Sequence, residues 1–257
     1  MPNQKILYVT SEMFPYQEDS NMASMVNKMA LKMHRDGHDV RVFMPKFGLI
    51  SERRFQLHEV IRLSGMNIII NDLDQPLIIK VASLPGERLQ VYFIDNEEYF
   101  KRKSYYADED GKFFDDNDER AVFFARGVIE TIKKLNWVPD VIHFNGWMTS
   151  FIPIYLKKFY KNDFYFNNTK LVMSVYNEQE AEFSANLKDI LSFDNITDLS
   201  ALDNPKVHNI VKDAMDLVDV IVKGDEFLEG EIDNAYESAV SEKGDFLEPE
   251  SIDKVYN

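Results

Sequence analysis

Ten residues near the middle of the chain, 140–149 (DVIHFNGWMT), constrain the fold more than any other stretch. Asp140-Val141-Ile142-His143-Phe144 follows the break Trp137-Val138-Pro139 and reads as a short buried strand. Asn145-Gly146 is a turn, and Trp147 opens an apolar helix through Ile152, Ile154, Tyr155 and Leu156. A strand that feeds a turn and then a helix is half of a βαβ unit. Open parallel sheets bind ligands outside the carboxyl ends of their strands. His143, Asn145, Gly146 and Trp147 therefore fall at the edge where a pocket would open.

The alternation repeats along the chain. Residues 5–10 (KILYVT) are a continuous apolar run, as a central parallel strand requires. After a loop containing Pro15, Asp19 or Ser20 can cap a helix whose apolar residues are Met22, Met25, Val26, Met29, Ala30 and Met33. That spacing is one helical stripe of core residues. Gly37 suits the helix stop, and residues 39–44 (DVRVFM) form the second strand. Residues 66–70, 77–84 and 89–94 are strand-like, the last two forming a β-hairpin, so residues 66–94 are a β-excursion. Residues 96–118 are irregular and crowded with aromatics. A helix follows, capped by Asp116 or Asn117, with Ala121, Phe124, Ala125, Val128, Ile132 and Leu135 on one face. Further on we expect strands at 170–175 and 219–222, helices at 207–217 and 226–240, and loop with short helix at 176–203. Strands alternating with helices imply an α/β fold: a doubly wound, Rossmann-like parallel sheet with helices on both faces. We expect one domain over residues 1–240 and an acidic, frayed tail over 241–257.

Composition narrows the function. With 29 basic and 44 acidic residues the net charge is −15, which argues against a nucleic-acid partner. Residues 225–257 hold 11 acidic and 2 basic residues, so −9 of that charge sits there, most simply as a solubilising surface. The chain has no cysteine, and its five histidines show no metal-ligand spacing, so neither a metal nor a cofactor is expected. No run approaches the ~18 apolar residues of a membrane span, and the start is too weakly apolar for a signal peptide. A cytoplasmic location with no membrane partner is the default expectation.

Five motifs in order resemble the bacterial glycogen and plant starch synthases. The start carries Ser11-Glu12, Pro15-Tyr16 and Gly37-His38-Asp39-Val40-Arg41-Val42 with Pro45. The middle carries Tyr92-Phe93-Ile94-Asp95-Asn96, Tyr99-Phe100 with Arg102, then Tyr106, Gly111, Asp116-Asn117 with Arg120, and Phe123-Phe124. Residues 140–149 match the family's Asp-Val-Val-His-x-Asn/His-Asp-Trp-x-Thr. Residues 209–232 are similar to its last N-domain strand and helix. The resemblance implies one half of a GT-B fold, the acceptor-side domain of a retaining glucosyltransferase, with an α-glucan or oligosaccharide as partner. In such enzymes a second domain holds most of the nucleotide-sugar site, and these 257 residues reach about where the linker to it would begin.

The departures from that pattern fall on ligand-handling positions. The family's Lys-x-Gly-Gly, which contacts the donor, is Glu18, Ser20 and Asn21 here. A carboxylate in place of the lysine would repel a diphosphate. The family's Thr-Val-His-Asn is Ser174-Val175-Tyr176-Asn177, its Asp-Trp-His aspartate is Gly146, and the histidine there is Met148. We therefore expect no catalytic residue to be intact. The expected substrate-binding set is Glu12, Glu18, His143, Asn145, Trp147, Tyr176 and Asn177. Plainer readings stand beside it, and we favour them for several members. His143 reads as a buried histidine bonded to backbone, Trp147 and the aromatics of 99–114 as packing, Glu12 and Glu18 as solvated loop carboxylates. The expected function is a synthase-like glucosyltransferase domain, inactive alone. The alternative is a non-catalytic module that binds glucan or a protein partner. A nucleotide-binding enzyme is disfavoured, because no Gly-x-Gly-x-x-Gly follows the first strand.

Overall fold

The computed structural model describes residues 3–17, 20–246 and 248–256. Strand β1 (Lys5–Thr10) is buried from Ile6 onward. Helix α1 (Asn21–Arg35) is capped by Ser20, whose hydroxyl accepts from Ala23 N–H at 3.2 Å. Met22, Met25, Met29 and Met33 are all buried, so the methionine stripe is core. The helix ends before Gly37, whose φ of +93° reverses the chain into β2 (Asp39–Pro45) without a Cβ clash.

The β-excursion follows. A short helix α2 (Glu52–Phe55) and strand β3 (His58–Glu59) precede β4 (Met66–Ile70), β5 (Leu73–Ser83) and β6 (Gln90–Asp95). Antiparallel pairing of β5 with β6 is the expected hairpin, and β4 adds a second one. Its turn is Asn71-Asp72, with φ of +48° and +66°, the left-handed pair that a two-residue hairpin turn needs. Strand β5 thus begins four residues before the expected Leu77 and runs through Pro76, whose carbonyl accepts from Asn96 Nδ2 at 3.0 Å.

Asn96 caps α3 (Glu97–Phe100) by accepting from the N–H groups of Glu98 and Tyr99. Helix α4 (Asn117–Leu135) starts after Asp116, but that carboxylate makes no cap bond; it is paired with Arg102. Strand β7 (Val141–Asn145) is buried at every residue. The helix after it opens as one 3₁₀ turn, Trp147–Ser150, before α5 (Phe151–Lys158). Then come β8 (Lys170–Val175), α6 (Asn186–Phe193), α7 (Val207–Met215), β9 (Val220–Lys223), α8 (Gly230–Ser238), β10 (Glu242–Lys243) and α9 (Ile252–Tyr256).

The sheet order is β10-β9-β8-β7-β1-β2-β6-β5-β3, and the seven strands from β10 to β6 are parallel. This is the doubly wound α/β sheet with a β-excursion that the pattern requires. Right-handed crossovers put α1 on one face and α4, α5, α7 and α8 on the other, because the chain steps outward in opposite directions from β1. The face of β7–β9 on the α1 side therefore has no crossover helix. The end of the chain covers it: residues 249–251 lie against α1, and α9 lies on β8. The expectation of fraying there gives way to burial. Ile252 and Tyr256 are 0% and 3% exposed, and Lys32 pairs with Asp253 at 2.8 Å.

Candidate functional site

Strand β1 lies between β7 and β2, so the winding direction reverses at the β1–β7 junction. Loops leaving neighbouring strands diverge at such a point and open a crevice. Thr10 is in register with Asn145 and Asn145 with Ser174, so the three strand ends converge. Gly146 makes the close approach: at its φ of +91°, a Cβ would lie 2.2 Å from Ser11 Oγ in the loop after β1. Gly224, after β9, does the same for Tyr176, whose ring a Cβ would meet at 2.4 Å.

A cavity of about 260 Å³ sits in that crevice. The loop after β1 and the start of α1 contribute Glu12, Ser20, Asn21 and Met22. The loops after β7, β8 and β9 contribute Trp147, Tyr176 to Gln179, and Asp225, while Tyr106 and Phe113 reach in from the aromatic stretch. Four of the residues expected to contact substrate thus line one cavity: Glu12, Trp147, Tyr176 and Asn177. Glu18 lies outside the described residues.

The other two lie beneath the floor. Asn145 is fully buried, accepts from the Tyr176 hydroxyl at 3.1 Å and donates to the His143 carbonyl at 3.2 Å. His143 is also fully buried, but its ring bonds to hydroxyls rather than backbone. Nδ1 is 2.7 Å from Tyr256 Oη, and Nε2 is 2.6 Å from Ser174 Oγ. Burial pushes its pKa down to about 3, so the ring is neutral. Asn177 is committed as well: its side chain donates to Phe227 O and accepts from Glu229 N–H, which pins the loop after β9.

The aromatic stretch is mainly packing. Tyr99 and Phe100 are buried, and Phe47 stacks edge-on against Phe100, Tyr105 and Tyr106. Trp147 is 3% exposed, and its ring meets Tyr106, Phe113 and Phe183 at 5.3–5.5 Å. Its edge and the half-buried Tyr106 and Phe113 form one wall of the cavity.

The electrostatics of the pocket are one-sided. Glu12, Glu178 and Asp225 all face it, and no lysine or arginine is among the described lining residues. Asp225 is satisfied by Asn21 Nδ2 at 2.5 Å and Asn177 N–H at 2.7 Å. Burial, followed by the Glu12 charge, holds the Glu178 carboxyl well above the usual range, although Trp147 N–H donates to it. Burial also raises Glu12, against hydrogen bonds from Ser20 and Gln17. Glu12 is therefore half-buried and not a freely solvated loop carboxylate. Glu178 and Asp225 escaped the sequence reading, yet the strand-end rule that selects Tyr176 extends to both. Tyr106 lies 40 residues before Gly146 in the chain, and no local signal places it there.

The sequence model of the starch synthase catalytic domain matches residues 5–241. The chain belongs to that family. Among curated relatives, the glycogen synthases of Chlorobium limicola and Chlorobium chlorochromatii are 37% and 38% identical over 176 residues. Those alignments cover 68% of this chain and 36% of either relative, so the chain spans about a third of their length. Among solved structures, the catalytic domain of starch synthase IV from Arabidopsis thaliana, bound to ADP and acarbose, superposes with a TM-score of 0.67 at 18% identity. It covers 86% of this chain and 44% of that one, and shows that the fold is shared. Among the described residues no helix is long and apolar enough to cross a membrane, and no group of three or more His, Asp or Glu is arranged to hold a metal ion.

Proposed function

We propose that this glycogen/starch synthase-type domain handles the glucan side of glucosyl transfer and that these 257 residues alone do not transfer glucose. The observation that carries the reading is the crevice at the β1–β7 junction, with Glu12, Glu178 and Asp225 facing it and no cation among its described lining residues. A diphosphate needs cations or free N–H groups. The N-terminus of α1 would be the natural phosphate cradle, but Ser20 caps it and Asn21 is held by Asp225. Carboxylates, amides and an aromatic wall instead suit sugar hydroxyls, which need paired donors and acceptors and a stacking face. Glu18 in place of the family's lysine points the same way. The setting we assign is the cytoplasm, by its likeness to the bacterial glycogen synthases.

Two measurements test this. Labelled glucose from ADP-glucose or UDP-glucose should not enter glycogen above background with this chain alone. ADP should bind no tighter than ~1 mM, about −4 kcal/mol, by calorimetry. Incorporation of label, or micromolar ADP binding, would overturn the reading. A non-catalytic module that binds a protein segment in the same crevice is the second reading. It becomes the better one if maltooligosaccharides at millimolar concentration leave the NMR signals of Glu12, Trp147 and Glu178 unmoved.

A further inference from the structure

The pocket has an unbalanced feature that neutral hydroxyls do not resolve. Glu12 comes from the loop after β1 and Glu178 from the loop after β8; both line the cavity, and the Glu12 charge adds to burial in raising the Glu178 carboxyl. Asp225, from the loop after β9, adds to the same field while its own oxygens are occupied by Asn21 and Asn177. The other titratable groups facing the cavity are the Tyr106 and Tyr176 hydroxyls, both held neutral by burial. On the aromatic side Arg120 does not line the cavity. It is fully buried among Phe47, Phe100 and Phe114, and donates to Tyr99 O at 2.8 Å. Nothing described in the protein supplies the missing positive charge.

We propose that this pocket takes a sugar-sized ligand bearing a protonated amine, an amino sugar in preference to its neutral counterpart. The inference rests on the sugar-site reading of the same pocket. An ammonium group carries three donors and no acceptor. Between Glu12 and Glu178 it makes charge-assisted hydrogen bonds to both and favours the ionised form of each. Tyr106, Phe113, Trp147 and Tyr176 line the rest of the cavity, and aromatic faces attract cations further, most strongly where water is excluded. A cavity of about 260 Å³ holds one sugar ring and not a long peptide. A neutral hexose can use the same amide and aromatic contacts but offers neither carboxyl a positive partner.

The test compares three probes by calorimetry at pH 7 and low salt: glucosamine, glucose, and N-acetylglucosamine, whose amine is capped as a neutral amide. Glucosamine should bind about tenfold more tightly than either neutral sugar, the effect of roughly one desolvated cation contact. The preference should shrink toward pH 4.5 as the carboxylates take up protons, and it should fall to within about threefold in Glu178→Gln or Glu12→Gln. Either variant suffices if the other does not fold, and the three-probe comparison needs neither. Glucose or maltose binding with no glucosamine preference would overturn this inference and leave the sugar-site reading standing. A preference untouched by both variants would also overturn it. Failure of all three sugars to bind would remove both.

Discussion

Two groups of polar side chains lie at the carboxyl end of the sheet, one above the other, and they are built on opposite principles. In the lower group Tyr256 donates to the Tyr8 hydroxyl at 2.8 Å, which leaves its oxygen free to accept from His143 Nδ1–H, while His143 Nε2 accepts from Ser174. All these atoms are buried, all are partnered, and the group is neutral. In the upper group Glu12, Glu178 and Asp225 share a cavity with no lysine or arginine among its described lining residues. Satisfied buried polar groups are the rule in folded proteins and report on structure. Unrelieved like charges in a crevice cost stability, and such arrangements cluster at functional sites. The contrast separates His143, which the sequence puts at the site but the fold uses as a strut, from Glu178, which the sequence reading passed over.

The largest expected effect breaks the lower group. Tyr256→Ala removes a buried aromatic ring along with both hydrogen bonds, and should cost about 3–5 kcal/mol in urea unfolding at pH 7. Tyr256→Phe removes only the hydroxyl and should cost about 1–3 kcal/mol by leaving His143 Nδ1 unpartnered. A loss below about 1 kcal/mol for the alanine variant would mean that the end of the chain is not seated on the sheet in solution.

The next effect is in acid. The His143 pKa falls from 6.5 unfolded to about 3 folded, so between those values the unfolded chain binds a proton that the folded chain does not. Stability should therefore fall as pH is lowered from 6.5 toward 3, by up to a few kcal/mol at ~1.4 kcal/mol per pH unit. His143→Gln cannot titrate, so the stability gap between wild type and this variant should narrow between pH 7 and pH 4. A gap independent of pH would show that the ring is already charged or accessible in the folded protein.

How much of this was legible follows from range. The unit from β1 to β2 was, because apolar spacing of one period per element specifies it without reference to anything distant. The pocket was legible in part: Glu12, Trp147, Tyr176 and Asn177 follow from strand ends alone. Tyr106 arrives through the packing of residues 96–118 on Trp147, which no local pattern encodes. The last residues carry no legible pattern, because Ile252, Val255 and Tyr256 are spaced among charged and polar neighbours. Their burial depends on a sheet face left uncovered by the crossover directions, a property of topology and not of composition. The Asn71-Asp72 turn is hidden for a smaller reason: Pro76 suggests that the strand begins after it, whereas an antiparallel pair tolerates proline where the missing N–H is not required.

The smallest effect has the opposite sign and sharpens the comparison most. Replacing a member of the lower group can only remove bonds. Glu178→Gln keeps a carbonyl oxygen to accept from Trp147 N–H and removes one of the three acidic groups that face the cavity. Because the folded-state pKa of Glu178 is raised, the folded protein holds a proton that the unfolded chain releases as pH rises above its ordinary 4.5. That linkage lowers wild-type stability with rising pH until the folded carboxyl has titrated, and the glutamine variant escapes it. The variant should therefore be more stable than wild type by about 1 kcal/mol at pH 8, and indistinguishable from it at pH 4, where the carboxyl is protonated in both states. A denaturant series at the two pH values decides the matter. Destabilisation at pH 8 would mean that Glu178 is held by a positive partner and belongs with the structural group below it.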